Sequence, residues 1–369
     1  MTIQALDQLN TQVLFCTLLI SFVLGFTAQR THFCTMGSIA DVFLMQDWTR
    51  ALQWVVATSI TLVGFGCLCL SGQIDPFKTL YFTNKWYWAS TSVGGLMFGC
   101  GMVLSSGCGL KTLVRSGSGN LKSWVVMVVM AVFAFMTLKG LFGVVRVSTL
   151  DLLNLQIVGG ANVPNLLGLD TALSFGTLGV VVGAILLILV YLKTVARQRL
   201  VISTGVLVGL MFISMWWVSG HLSFVAEHPD TLEEVFVGSK SNRAEAFSFV
   251  APVAYLFNWL EFFSDNSNVL GNGVTSVFGV LLGSLVSSSL NSTFRWEGFT
   301  NTEDLAAHLL GAGMMGVGGV TAMGCSVGQG ISGLSTLSLN AFSAVVFIVI
   351  GAWMCLEYQS YRLNKSILD

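Results

Sequence analysis

The sequence predicts an all-α polytopic membrane protein: about nine transmembrane helices and several short re-entrant helices, arranged as two inverted-topology repeats. Three observations carry that prediction. Of 369 residues, 54% are hydrophobic and only 9% are charged, where a soluble domain has roughly a quarter of its residues charged. The apolar residues fall in runs of about twenty, the length a helix needs to cross the hydrocarbon core. The phrase FGCGMVLSSGCG at residues 98–109 also returns as MGVGGVTAMGCS at residues 315–326. In register, Cys108 and Cys325 stand 217 residues apart, and the same offset pairs Gly94 with Gly311, Met97 with Met314, Gly99 with Gly316, Gly101 with Gly318 and Gly107 with Gly324.

Taken in order, the opening MTIQALDQLN lacks the basic flank of a cleavable signal, so the first apolar run is expected to stay as an anchor. Spans are expected at about 12–28, 50–72, 86–106, 121–145, 171–192, 200–220, 269–291, 303–323 and 337–357. Three further segments, at 30–43, 108–117 and 325–333, are too short or too interrupted to read as spans, and a fourth, at 247–263, is borderline. They fit re-entrant pieces, which survive at membrane depth only where protein or a watery cavity covers their backbone. The whole chain reads as one transport domain, with a first repeat over about 12–145, a linking span over about 171–192 and a second repeat over about 200–357. The polar stretch 226–246 is expected to be an external loop with a short amphipathic helix.

Basic residues set the orientation. With the N-terminus outside, the inner loops hold Arg30, Arg50, Lys111, Arg115, Lys122, Lys193, Arg197, Arg199, Arg295, Arg362 and Lys365, and the outer side only Lys78, Lys85, Lys139, Arg146, Lys240 and Arg243. The span before Cys108 then runs inward and the span before Cys325 runs outward. Inverted repeats of this kind are a transporter plan, with the substrate site near the midplane. The net charge of −1 offers no basic field for nucleic acid.

Five of the eight cysteines, Cys16, Cys67, Cys69, Cys100 and Cys355, lie inside apolar runs, where a thiol behaves as a small hydrophobe. No spacing resembles a zinc or haem site, and neither metal, cofactor nor enzymatic activity is expected. Cys34, Cys108 and Cys325 instead follow apolar runs in polar or glycine-rich settings. Gly107-Cys108-Gly109 and Gly324-Cys325-Ser326 have the composition of a sharp turn feeding a short helix, whose first N–H groups attract an anion. Backbone donors around Gly107, Gly109, Gly324 and Ser326 are thus expected to hold an oxyanion, with Gln329 nearby. Soft sulfur suits a partner that itself presents sulfur or selenium, so a sulfur oxyanion with a terminal sulfur fits both halves of the description. Around Cys34, Arg30 and His32 either gather the anion or anchor the interface, and Arg115 faces the same alternatives.

On RTHFCTMGSIAD, GLMFGCGMVLSSGCG, FSFVAPVAY and the long stretch from STFRWEGF to GISGLSTL, nearly the whole chain resembles the YeeE/YedE sulfur-transport family. The resemblance implies a multi-pass protein of the bacterial inner membrane, N-terminus periplasmic and C-terminus cytoplasmic. Such a protein takes up thiosulfate or a related sulfur oxyanion, passing it along pore-facing cysteines without a covalent intermediate. The motif cysteines correspond to Cys34, Cys108 and Cys325. Some members carry a further cysteine near the counterpart of Cys34, but at the 217-residue offset this chain has Ala251. Some relatives are linked to selenium, and some occur with small sulfur carriers of the TusA type. The alternative from another class is a membrane-embedded sulfurtransferase partner, with Cys34 on the inner face exchanging sulfane sulfur with a soluble carrier.

Overall fold

The computed structural model describes residues 3–193, 199–229, 231–265 and 269–368; Arg197 of the basic count lies outside them. The apolar runs form the helices that their length and composition require. The first is α1 (Ile3–Thr31), followed by α2 (Thr35–Ala40), whose last turn widens over Asp41–Met45, then α3 (Thr49–Leu70), α4 (Trp88–Leu104), α5 (Gly109–Gly117) and α6 (Leu121–Leu138). The small α7 (Leu141–Ser148) and α8 (Val163–Leu166) precede α9 (Ala172–Lys193). The second half holds α10 (Arg199–Trp217), α11 (Val250–Glu261), α12 (Asn272–Leu290), α13 (Thr302–Thr321), a short wide-turned helix over Gly328–Gly333, and α14 (Leu339–Leu368).

Among the described residues eight helical stretches are long and apolar enough to cross a membrane, and two of these join a spanning helix to its short continuation, Gln4–Met45 and Trp88–Gly117. The ninth expected span is α13, twenty residues long. Five glycines and an acidic first turn dilute its hydropathy, yet it packs between α4 and α6.

Three expectations need correction. The span expected at 121–145 ends at Leu138, because Gly140 takes an extended conformation and the chain restarts as α7. The described residues of 226–246 form no amphipathic helix: β3 (Phe224–Val225) pairs with β4 (Val235–Phe236) as an antiparallel hairpin closed by His228 N–H donating to Glu233 O. Pro229 lies within that loop, where it disfavours a helix. A second small ladder, β1 (Lys85–Trp86) with β2 (Leu155–Gln156), was not expected at all.

The two halves repeat in packing as well as in sequence. Helices α4 and α13 cross antiparallel, with Gly94 against Gly318 and Gly101 against Gly311. No side chain fits there, since a Cβ on Gly101 would lie 2.6 Å from the Gly311 carbonyl oxygen and one on Gly318 2.7 Å from that of Gly94. Small residues that bring backbones together are the usual glue between helices in lipid. The next layer repeats it: Gly99 abuts Ile348 and Ala352 of α14, while Gly316 abuts Met130 and Ala134 of α6. Likewise α1 packs on α12 as α10 packs on α3.

Candidate functional site

Where α4 and α13 stop, the chain makes the same turn twice. Ser105 N–H donates to Gly101 O, Ser106 to Val103 O, Gly107 to Met102 O and Thr112 to Cys108 O; the second half repeats each bond with Ala322, Met323, Gly324 and Gln329. Ser106 (φ 56°) and Met323 (φ 61°) both take the left-handed conformation that the turn requires. This is the local answer to why each cysteine follows a glycine. The break points the first N–H groups of α5, and of the helix after Cys325, at the sulfur. In the first half Arg115 Nη1 steadies the turn by donating to Ser106 O at 2.9 Å.

The N–H groups of Gly107 and Gly324 close the ends of the preceding helices, donating to Met102 O and Gly319 O. The donors on the sulfurs come from elsewhere. Cys108 receives the backbone N–H groups of Lys111 and Thr35 and lies against the Cys34 thiol and the Ser326 hydroxyl. Cys325 receives Gly328 N–H at 3.3 Å and the N–H of Phe249, and lies 3.8 Å from Ser248 Oγ. Gly109 and Ser326 occupy first-turn positions, where an N–H has no intrahelical acceptor. The Ser326 hydroxyl is buried and makes no complete hydrogen bond.

Set side by side, the two cysteines have matching partners. Lys111 corresponds to Gly328, Thr35 to Phe249 and the Cys34 thiol to the Ser248 hydroxyl. The place of a fourth cysteine is therefore held by Ser248 rather than by Ala251, because the loops before α3 and α12 differ in length and the 217-residue offset does not extend to them. Ser248 and Phe249 were overlooked for that reason, although both lie in the FSFVAPVAY motif. A register of 214 residues, set on Cys34-Thr35 and Ser248-Phe249, finds them.

All three cysteines are buried, Cys34 at 8% exposed and Cys325 at 0%, and each is covered from a different face. A cavity of about 240 Å³ reaches Gly324, Met323 and Ser248 beside Cys325, with Tyr81, Arg146, Lys240, Glu245 and Asn272 in its walls. Lys240 also lines a shallower cavity with Leu6, Asp7 and Asn10, which places the first cavity on the face carrying the N-terminus. On the opposite side a cavity of about 280 Å³ is lined by Gln29, His32, Lys111, Arg115, Arg295 and Glu297. The Lys111 ammonium there lies close to both Cys34 and Cys108. Cations thus stand on both approaches to the thiols.

The accessory candidates divide. His32, in a left-handed conformation, and Arg115 stand at the second cavity. Arg30 is exposed at the end of α1 and does not line it. Gln329 is buried, and its Nε2 donates to Ala322 O at 2.9 Å, so it braces the end of α13. Tyr81, which the sequence did not single out, reaches across the repeats to donate its hydroxyl to Gly328 O at 2.8 Å. Outside the spans, burial pushes the Glu245 carboxyl up to about 7, with the Ser239 hydroxyl acting weakly the other way.

Two similar proteins carry names. Over 353 residues the chain is 24% identical to "Thiosulfate transporter TsuA" of Escherichia coli (strain K12), covering 90% of each chain. Over 354 residues it is 24% identical to the protein of the same name from Spirochaeta thermophila (strain ATCC 700085 / DSM 6578 / Z-1203), covering 91% of this chain and 96% of that one. Residues 30–354 match the family described as Sulphur transport, a match that takes in both broken helices and all three cysteines, and the chain belongs to that family.

Proposed function

We propose that this protein is an uptake transporter for thiosulfate in the bacterial inner membrane, with the N-terminus periplasmic and the C-terminus cytoplasmic. The observation that carries the reading is the matched pair of cysteine turns. Each thiol is held by backbone donors at a broken helix, and the pair lies between two cation-bearing cavities on opposite faces. Thiosulfate presents charged oxygens, which suit N–H donors and Lys111, and a terminal sulfur, which suits a thiol. The path runs from the cavity beside Glu245 and Ser248 to Cys325, then to Cys108 and Cys34, and out past Lys111, His32 and Arg115. Thiols are weak hydrogen-bond donors, and a conducting site must hold its ion loosely enough to release it. The positive-inside bias supports the orientation, and the thiosulfate-named relatives support the substrate.

In this reading the protein performs no chemistry on the anion. A sulfurtransferase role for Cys34 would require its thiol at the aqueous surface, whereas it is buried against Cys108. Delivery to a TusA-type carrier would follow release and is not needed for transport.

The test is uptake of sulfane-labelled thiosulfate into proteoliposomes by the wild type and by the folded Cys108→Ser and Cys325→Ser variants. Uptake lost in both supports the reading. Uptake unchanged in both removes the cysteines from the path, and wild-type uptake of selenium oxyanions in preference to thiosulfate changes the substrate.

A further inference from the structure

Glu245 lines the cavity that reaches Ser248 and Gly324 beside Cys325, and the transport reading gives it no task. It lies three residues before Ser248, on an irregular stretch fixed at both ends. Its own N–H donates to Ser219 Oγ at 2.9 Å, and Ser332 Oγ donates to Phe247 O at 2.9 Å. Its backbone is therefore held at the wall of the cavity that ends beside Cys325. Among the described residues no cation forms an ion pair with it; its polar side-chain contact is Ser239 Oγ at 3.4 Å.

The groups that face it come from every surrounding element. The α3–α4 loop gives Tyr81, α7 gives Arg146, the segment after β4 gives Lys240, α11 gives Tyr255, and the turn after α13 gives Cys325 behind Tyr81. The facing part of α12 is neutral, with Ser276 and a buried Asn272 whose side-chain amide makes no hydrogen bond. Arg146 is committed to Asp151 at 3.1 Å, and Lys240 has the positive charge of Lys139 nearby. An ionised Glu245, which is half-buried, would thus meet an incoming dianion with a like charge that no ion pair among the described residues offsets, and away from bulk water such charges interact more strongly. A neutral Glu245 would instead offer an O–H donor.

We propose that Glu245 is the proton-binding residue of the transport cycle, so that each sulfur oxyanion admitted toward Cys325 is accompanied by a proton. The proposal rests on the transport reading and adds its coupling ion. The proton is taken from the outer solution onto the carboxylate, and the neutral acid shares the cavity with the dianion. When the anion has moved on and the cavity closes outward, the proton leaves inward, and no bond in the anion is made or broken. Burial supports the step by holding the carboxyl near neutrality, where it is neutral below about pH 7 and ionised above. By linkage, a bound anion favours the neutral form further, and a proton favours anion binding by the same factor.

The experiment is labelled thiosulfate uptake into proteoliposomes at a series of external pH values, with a pH-sensitive dye trapped inside. For the wild type, initial uptake should fall about tenfold between pH 6 and pH 8, following the protonated fraction of one group near pH 7. Adding thiosulfate outside should acidify the lumen. Glu245→Gln, a permanently neutral donor, should transport with a flat pH profile and without acidification, and Glu245→Asp should keep both. Wild-type uptake that ignores pH and leaves the lumen pH unchanged overturns the proposal even if no variant folds. So does a Glu245→Gln variant that keeps the wild-type profile and acidification. No wild-type uptake at any pH overturns the transport reading itself, a result separable from the other two.

Discussion

Replacing Gly101 or Gly318 with alanine tests the helix crossing on which both cysteine turns depend. A Cβ on Gly101 would sit 2.6 Å from Gly311 O and 2.8 Å from Met315 N, and one on Gly318 would sit 2.5 Å from Phe98 N and 2.7 Å from Gly94 O. All four neighbours are backbone atoms of packed helices, so no side chain can swing aside. To reach ordinary contact, α4 and α13 must part by about 0.8 Å along a close-packed line. Overpacking of this kind costs about 1–3 kcal/mol, or roughly 5- to 150-fold in the folding equilibrium. Because the two contacts are copies of each other, the single variants should be destabilised to within about 0.5 kcal/mol of one another. The double variant should lose less than the sum, since helices already parted accept the second methyl more easily. The assay is thermal unfolding in detergent, followed by a maleimide dye that fluoresces on reaching the buried thiols. Gly298→Ala, with no atom within 4 Å of its Cβ, is the control. Variants that melt with the control would refute the direct backbone contact, and strongly unequal losses would refute its symmetry.

Other outcomes follow from the same geometry. Ser248→Cys should retain uptake, because it restores at the second turn the thiol that Cys34 supplies at the first; measured rates below one tenth of wild type would break that equivalence. Asn120 accepts from Ser123 N–H at 2.9 Å at the start of α6 and donates to Glu297, so Asn120→Ala should lose about 1 kcal/mol as a helix cap does, read as a lower melting point with uptake retained. Tyr81→Phe leaves the Gly328 carbonyl without its buried donor and should cost about 1–3 kcal/mol, again by melting point. Sulfate, which has the oxygens but no terminal sulfur, should compete poorly with labelled thiosulfate; competition at equal concentrations would remove the need for thiols.

The spans were legible because membrane crossing imposes one length and one composition, and each expected run became a helix, although α6 ends seven residues early, α1 begins nine residues before its expected start and α14 runs eleven residues past its expected end. The repeat was legible where backbone contact forbids side chains: Gly94, Gly101, Gly311 and Gly318 cannot drift without driving helices apart. It became illegible in the loops, which tolerate insertion, and so Ser248 was hidden behind a change of register. That the N–H groups of Gly107 and Gly324 close α4 and α13 was not legible, because sequence cannot tell which N–H groups a turn consumes. Tyr81 and Glu245 were invisible, since nothing local marks a loop residue that folds back onto a distant turn or cavity wall.

Helix α9 has no counterpart in either half and is the least buried of the spanning stretches, at 28%, yet it is the one whose presence decides the arrangement. Among the described residues each half supplies four helical stretches of membrane-crossing length: α1, α3, α4 with α5, and α6 in the first, then α10, α12, α13 with its short continuation, and α14 in the second. Four is even, so a copy joined directly to the end of the first would enter from the same side and lie parallel to it. A single extra crossing reverses its sense. The odd helix thus works as a parity element: one added crossing is what lets two halves of like topology sit inverted in one chain, with the two cysteine turns approaching from opposite sides.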